Sequence, residues 1–429
     1  MTDAAFEFVE DGGAEVPPVA DVASSDVSVV PRITIQAFCE TPSTVSIMEE
    51  AITDRRLVRA HFAVQAGGIA AAVEYYSTAP TPNLIIVESQ AQSSLMAAEL
   101  ERLASVCDSG THVLVIGHQN DIQLYRELMR QGVSDYLVAP FSVLQFIDTV
   151  GRVYANPEEG PIGRTVAFIG AKGGCGSSTI AHNVGWAISE AMKENVVITD
   201  LDLAFGTLGL DFNQDPPQGI SDALGSPERL DQTLLDRLLA KCTERLHLFT
   251  APSTLDRDCD IDGEVLESII DLVRASVPCV VMDIPHMWTG WARSTLLSAD
   301  DVIITATPDL ASLRNAKNIV DILKANRSHD REPYLVLNQV GVPKRPEIGI
   351  SDFTEALSLE PTLAIPFDPQ LFGTAANNGQ MISEVSNGAK IAQGFTDLAG
   401  SIVGRQEAKK RSKSLLAPLL SRLSSKKEK

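Results

Sequence analysis

Between residues 170 and 179 the chain reads Gly-Ala-Lys-Gly-Gly-Cys-Gly-Ser-Ser-Thr. Gly173, Gly174 and Gly176 fall within four positions, and Ser177, Ser178 and Thr179 follow at once. Closely spaced glycines let backbone N–H groups turn inward and approach an anion, and a hydroxyl behind them can ligate a divalent cation. Three carboxylates and one amide sit at the ends of apolar runs further along. Asp200 closes Val197-Ile-Thr and Asp202 lies two residues on. Asp283 closes Val280-Val-Met, and Asn338 closes Leu335-Val-Leu. On its own each would be an ordinary strand-end polar residue. The glycine loop suits phosphate binding, with the Ser178 hydroxyl placed to ligate Mg2+.

An ordinary phosphate loop reads GxxxxGK[ST]. Aligned on Gly176, this loop has Ala171 where the first glycine belongs and Ser177 where the lysine belongs. Lys172, by contrast, lies near the start of the loop.

Such a loop needs a strand before it and a helix behind it, so that the helix N-terminus adds positive potential. The sequence supplies both: Thr165–Ile169 reads as a strand and Ile180–Lys193 as a helix. Further strands are expected at Val196–Asp200, Leu246–Thr250, Cys279–Met282, Asp301–Thr305 and Tyr334–Leu337, with helices at Val265–Ala275 and Ala311–Ala325 between them. Ahead of this series, strands are expected at Ile33–Phe38, Leu84–Val87, His112–Ile116 and Asp135–Val138. Helices are expected there at Thr44–Arg56, Asp121–Gln131 and Ser142–Val153. Such alternation implies two α/β layers with parallel sheets. Asn156–Gly163 is dense in turn formers and reads as the linker. The expected organisation is a disordered acidic segment 1–31, a domain 32–156, a second domain 163–404 and a basic tail 405–429.

The chain has 429 residues, 44% of them hydrophobic, and a net charge of −21. No apolar run approaches the ~18 residues of a membrane span, and no secretory leader is evident, so a cytoplasmic protein is expected. The six cysteines include no CxxC pair, which argues against zinc sites and a disulfide framework. The acidic balance makes nucleic acid an unlikely partner. Residues 405–429 carry nine basic and two acidic side chains, a net +7 that leaves −28 for the rest. Ser414–Leu423 interleaves leucines with that charge, as a membrane-surface segment would, although Pro418 interrupts a continuous helix.

Lys172-Gly-Gly-Cys-Gly-Ser-Ser178 resembles the deviant Walker A motif KGGxGK[ST] of the ParA/MinD family. The resemblance implies ATP with Mg2+, a dimer formed on ATP binding, and Lys172 as the signature lysine that reaches the partner's nucleotide. Gly173, Gly174, Cys175, Gly176, Ser177, Ser178 and Thr179 would form the phosphate cradle. It implies that Asp202 orients the attacking water, that Asp200 and Asp283 support the metal, and that Asn338 reads the adenine edge. Ile365-Pro-Phe-Asp368 is similar to the family's turn near the base. Ser177 departs from the pattern and leaves turnover open, from weak ATPase activity to none.

The first domain resembles a response-regulator receiver with a flavodoxin-like fold, on Leu84-Ile-Ile-Val-Glu88 and Gly132–Phe141. Glu88 stands in place of the phosphoacceptor Asp. Gly117 stands for the Ser/Thr and Ala139 for the lysine, and Phe38-Cys-Glu40 lacks the acidic pair, so a pseudo-receiver is expected. A degenerate receiver ahead of a deviant ATPase resembles the TadZ/CpaE family of Flp (tight adherence) pilus assembly proteins. That implies pilus-assembly machinery as partner, and placement at a cell pole or peripherally on the inner membrane through the tail. A DNA-partition ATPase and a non-hydrolysing scaffold are the alternative readings.

Overall fold

The structure is a computed structural model that describes residues 27, 29–155, 162–251, 255 and 260–404. They form two compact units, which part in the region 156–161; the first also takes in Ser328–Asp330.

The first unit holds five parallel strands: β1 (Thr34–Cys39), β2 (His61–Ala66), β3 (Leu84–Ser89), β4 (His112–Gly117) and β5 (Asp135–Val138). Their order is β2-β1-β3-β4-β5, the flavodoxin-like winding. Every residue of β3 is buried, as a central parallel strand covered on both faces requires. Helices Pro42–Ile52 and Val143–Tyr154 supply Met48, Ala51, Phe146, Ile147 and Val150 to the core on one face. Helices Ile69–Tyr76, Ser93–Ala104 and Ile122–Arg130 supply Ala72, Met96, Leu100 and Leu128 to the other. Val27 and Val30 are buried against the first of these cores. Residues 1–31 are therefore not featureless to their end: once the acidic run gives way to valines, apolar burial holds the chain. The remainder of that segment, most of the linker and the basic tail lie outside the described residues.

The second unit is an eight-stranded sheet, parallel except at one edge. It contains β6 (Arg164–Gly170), β7 (Val196–Asp200), β8 (Ala240–Lys241), β9 (Leu246–Phe249), β10 (Cys279–Ile284), β11 (Asp301–Ala306), β12 (Tyr334–Val340) and β13 (Pro361–Pro366). The order is β13-β12-β11-β6-β10-β7-β9-β8, and β8 pairs antiparallel with β9. Strand alternation divides the core: Val166 and Phe168 of β6 face the helices Ser177–Glu190 and Lys390–Ile402. Ala167 and Ile169 face the helices Gly263–Ser276, Gly290–Ser298 and Leu310–Asn326. The chain winds outward in both directions from the centre of this sheet. The loops leaving β6, β7, β10 and β11 therefore gather in one crevice at the strands' C-terminal ends.

Candidate nucleotide site

β6 ends at Gly170 and the helix Ser177–Glu190 begins seven residues later. The loop between them needs glycine at particular places. Gly174 and Gly176 have φ of 75° and 89°, a region that side chains disfavour. A Cβ on Gly170 would meet Cys175 Sγ at 2.6 Å. Gly173 and Gly174 are exposed and a Cβ on either meets nothing, so their backbone is open to a ligand. Neighbouring elements brace the loop's carbonyls. Asn315 Nδ2 donates to Ala171 O at 2.8 Å, Gln339 Nε2 to Gly174 O at 3.2 Å, and Asn338 Nδ2 to Cys175 O at 2.8 Å. With carbonyls tied outward, the N–H groups and the N-terminus of a 14-residue helix are left to face an anion. The Cys175 thiol is buried and burial pushes its pKa up, so it is a packing group and not a nucleophile.

Asp200 and Asp283 are register partners on the adjacent strands β7 and β10. Both are buried. Asp200 Oδ1 accepts from Asp202 N at 3.0 Å, and its Oδ2 accepts from Leu208 N at 3.1 Å. Burial, then the charge of Asp283, push the Asp200 carboxyl up to about 7. Burial also raises Asp283, against the pull of His182 and the Ser178 hydroxyl. Asp202 is half-buried on the following turn, its Oδ1 accepting from Phe205 N at 3.0 Å.

Mg2+ fits these residues. It is usually held by one or two carboxylates together with phosphates and water, not by a full protein cage. The Ser178 hydroxyl bonds Asp283 at the loop's helix end, Asp283 Oδ1 and Ser177 Oγ are buried with no partner, and the buried carboxylates of Asp200 and Asp283 are neighbours on adjacent strands. Among the described residues no three His, Cys, Asp or Glu side chains converge on a self-sufficient metal site. Asp200, Asp202, Asp283, Ser177, Ser178 and the glycines thus surround one crevice.

Two expected residues are already engaged. Lys172 Nζ donates to Asp309 Oδ2 at 2.5 Å. Asn338 spends both ends of its amide within the protein: Nδ2 on Cys175 O, and Oδ1 accepting from Gln339 N at 2.8 Å. Three further residues were not singled out from the sequence. Asp309 caps the helix Leu310–Asn326, its Oδ1 accepting from Ser312 N at 3.0 Å. His182 and Asp211 are joined by 2.7 Å between Nδ1 and Oδ2. An Asp two residues after Thr307 and ahead of an apolar-periodic run is a readable capping signal. A histidine four residues past Ser178 on the same helix face was readable too.

In the first unit Glu88 is the penultimate residue of β3 and is fully buried. Its Oε2 accepts from the N–H of Glu40 at 2.7 Å and of Thr41 at 2.8 Å. Its Oε1 accepts from the hydroxyls of Thr41 and Thr44, at 2.7 and 2.8 Å, and lies 3.0 Å from His118 Nε2. Burial raises the carboxyl, but the hydrogen bonds from Thr41, Thr44 and His118 outweigh it and hold the pKa below the usual range. Gly117 leaves room for the Tyr136 hydroxyl, which a Cβ there would meet at 2.0 Å, and which donates to Gln119 O at 2.9 Å.

Strand order, glycine loop and acidic crevice define the second unit as a P-loop unit of the ParA/MinD ATPase type. A ParA family ATPase from Chlorobium tepidum TLS shares the fold, with 24% identity and a TM-score of 0.50 over 55% of this chain and 98% of that one. The septum site-determining protein MinD of Synechocystis is 26% identical over 234 residues, 51% of this chain and 80% of that protein. The pilus assembly protein CpaE of Caulobacter crescentus CB15 is 50% identical, covering 30% of this chain and 98% of that one, with a TM-score of 0.30. No family model matches the chain. The chain belongs to the TadZ/CpaE pilus assembly family within the ParA/MinD ATPases.

Proposed function

We propose that this chain is an ATP-binding localisation factor for the assembly of Flp (tight adherence) pili, acting as a nucleotide-dependent dimeric switch. The observation that carries the reading is the convergence of a braced glycine loop, the Ser178 hydroxyl and the paired carboxylates Asp200 and Asp283 at one crevice. ATP phosphates would lie on the backbone from Gly173 to Thr179. Bound Mg2+ would supply charge neutralisation at the phosphates, with Ser178, Asp200 and Asp283 about it. Asp202 would orient a water, and Lys172 would reach the partner's phosphates across a dimer. Asn338 would stand near the base end.

The domain boundaries proposed are 32–156 for the receiver-like part and 163–404 for the ATPase part. The former would dock on the pilus-assembly machinery or a polar site. The basic tail from residue 405 would add peripheral contact with the inner membrane, each cation contributing about 1 kcal/mol near an anionic surface. Among the described residues no helix is long and apolar enough to cross a membrane.

Ser177 favours one second reading, a non-hydrolysing scaffold whose nucleotide site no longer cycles. Loss of a charged phosphate contact costs about 1.5–3 kcal/mol in binding, and hydrolysis suffers more where the lysine also stabilises transition-state charge. A DNA-partition role is disfavoured by the acidic chain.

The test is calorimetry of ATP with Mg2+ on the full chain and on Lys172→Ala, with light scattering for mass. Binding with ATP-dependent dimerisation, lost in Lys172→Ala, is expected. Absence of binding at millimolar ATP would sink the switch and leave the scaffold.

A further inference from the structure

His182 lies one helical turn beyond Ser178, on the same face of the helix Ser177–Glu190. It is 1% exposed. A buried imidazole is costly unless it is hydrogen-bonded, and the surrounding layer would accept an aliphatic side chain. This one is held between two acidic elements. Its Nδ1 lies 2.7 Å from Asp211 Oδ2, and an ionised carboxylate only accepts, so Nδ1 carries the hydrogen. Its Nε2 faces Asp283 Oδ2 at 3.6 Å.

Asp211 closes the short helix Leu208–Asp211, which follows directly on the turn that presents Asp202. That segment is fastened at its start, where the N–H groups of Asp202 and Leu208 bond the two oxygens of Asp200. Within it, Gly206 N donates to Asp202 O at 2.8 Å and Asp211 N to Thr207 O at 2.9 Å. The far end is fastened by His182. The Asp211 carboxylate also meets the Thr207 hydroxyl at 3.4 Å, a bond internal to the segment, whereas His182 ties it to the helix that begins with Ser177 and Ser178. Phe212 completes the packing, with its ring 6.0 Å from the imidazole.

We infer that His182 is a positioning residue of the nucleotide site: through Asp211 it holds the Asp202–Asp211 segment against the loop helix and the end of β10. This rests on the nucleotide-site reading above. His182 contacts neither phosphate nor water in this scheme. Its effect is to fix where Asp202 stands relative to Ser178 and Asp283. Outer residues that orient a metal or phosphate site act in this way, and their loss is felt in the order of the site more than in its overall stability.

The test uses the full chain and the variants His182→Leu, His182→Asn, Asp211→Ala and the double variant His182→Leu/Asp211→Ala. Amide hydrogen exchange is followed over residues 202–212, without nucleotide and with Mg-ATP, and turnover and KM are measured in parallel. Asn places an amide N–H near the position of Nδ1, so His182→Asn is the conservative rescue. In His182→Leu and Asp211→Ala, exchange in 202–212 should rise about tenfold, the loss of one hydrogen bond to a charged group. The helix Leu310–Asn326 should be unaffected. Turnover should fall by a similar factor with KM little changed. The double variant should match either single one, and His182→Asn should restore protection. Unchanged exchange in 202–212, additive losses in the double variant, or faster exchange spread evenly over the unit would each overturn the inference. If the wild type binds no ATP, the proposed function fails, yet exchange in the nucleotide-free chain still decides whether His182 holds the segment.

Discussion

Lys172 and Asp309 form an ion pair within one chain, with Nζ 2.5 Å from Oδ2, at the edge of the glycine loop. Burial raises the Asp309 carboxyl, but the hydrogen bonds from Lys172 and Thr307 and from the Ser312 N–H outweigh it and hold the pKa at about 2. A lysine held this way must leave Asp309 before it can serve a partner subunit. The pair is partly exposed, so separating it costs no more than about 1 kcal/mol. Asp309→Asn keeps a good helix cap while removing the charge. It should strengthen ATP-dependent dimerisation about two- to fivefold, read by sedimentation or light scattering across concentration. Dimerisation that weakens or stays the same would mean that Lys172 works from its present place.

The raised carboxyls of Asp200 and Asp283 give a pH signature. Asp200 sits at about 7 in the folded chain, against an unfolded value near 3.9. The folded, metal-free protein therefore holds more protons between these limits, and its stability falls as pH rises from about 4 to about 7. A divalent cation needs the ionised form. Mg2+ affinity in the presence of ATP should rise up to about tenfold per pH unit below 7 and level off above it. Mg2+ titrations at pH 6, 7 and 8 would read this directly. A flat profile would place the metal away from Asp200.

Ser177→Lys restores the missing loop cation. Ser177 Oγ is buried without a partner, so the hydroxyl itself anchors nothing in the protein. The lysine should tighten ATP binding about 10- to 100-fold, the equivalent of one charge-assisted contact. Calorimetry against the wild type decides it. Equal affinity would show that the backbone cradle and Lys172 already supply what the lysine would add.

The buried Glu88 carboxylate accepts hydrogen bonds from Glu40, Thr41 and Thr44. Glu88→Ala would strand the buried Thr44 hydroxyl and the part-buried donors of Glu40 and Thr41, and should destabilise that unit by about 2–4 kcal/mol. Glu88→Gln should cost less, because one oxygen remains. The depressed pKa has its own sign: the stabilisation is full above the unfolded carboxyl value and is lost as pH falls through the lower folded one. Urea unfolding of the full chain, read from 7 towards acid pH, should reveal both effects. A Glu88→Ala chain as stable as the wild type would remove the carboxylate from any structural role.

Much of this was legible in the chain. Apolar runs within the buried strands β6, β7 and β10 lead up to Gly170, Asp200 and Asp283. The strands not foreseen, β2, β8 and β13, all lie at sheet edges. β2 is largely half-exposed, β8 has two residues, and β13 begins and ends in proline. Edge strands need no continuous apolar run and tolerate proline, so they leave little pattern to read. Ile365-Pro-Phe-Asp368, expected as a turn, begins inside β13. The site was legible as residue types but not as partnerships. That Asp309 holds Lys172, that His182 holds Asp211, and that Asn338 turns its amide to Cys175 depend on long-range contacts, which no local spacing encodes.

The carboxylate of Glu88 is written into the polypeptide, where a responsive receiver would carry a charge that comes and goes. It needs no donor to install it and no hydrolysis to erase it. The charge at this position is therefore set once, at synthesis, and lasts as long as the chain does.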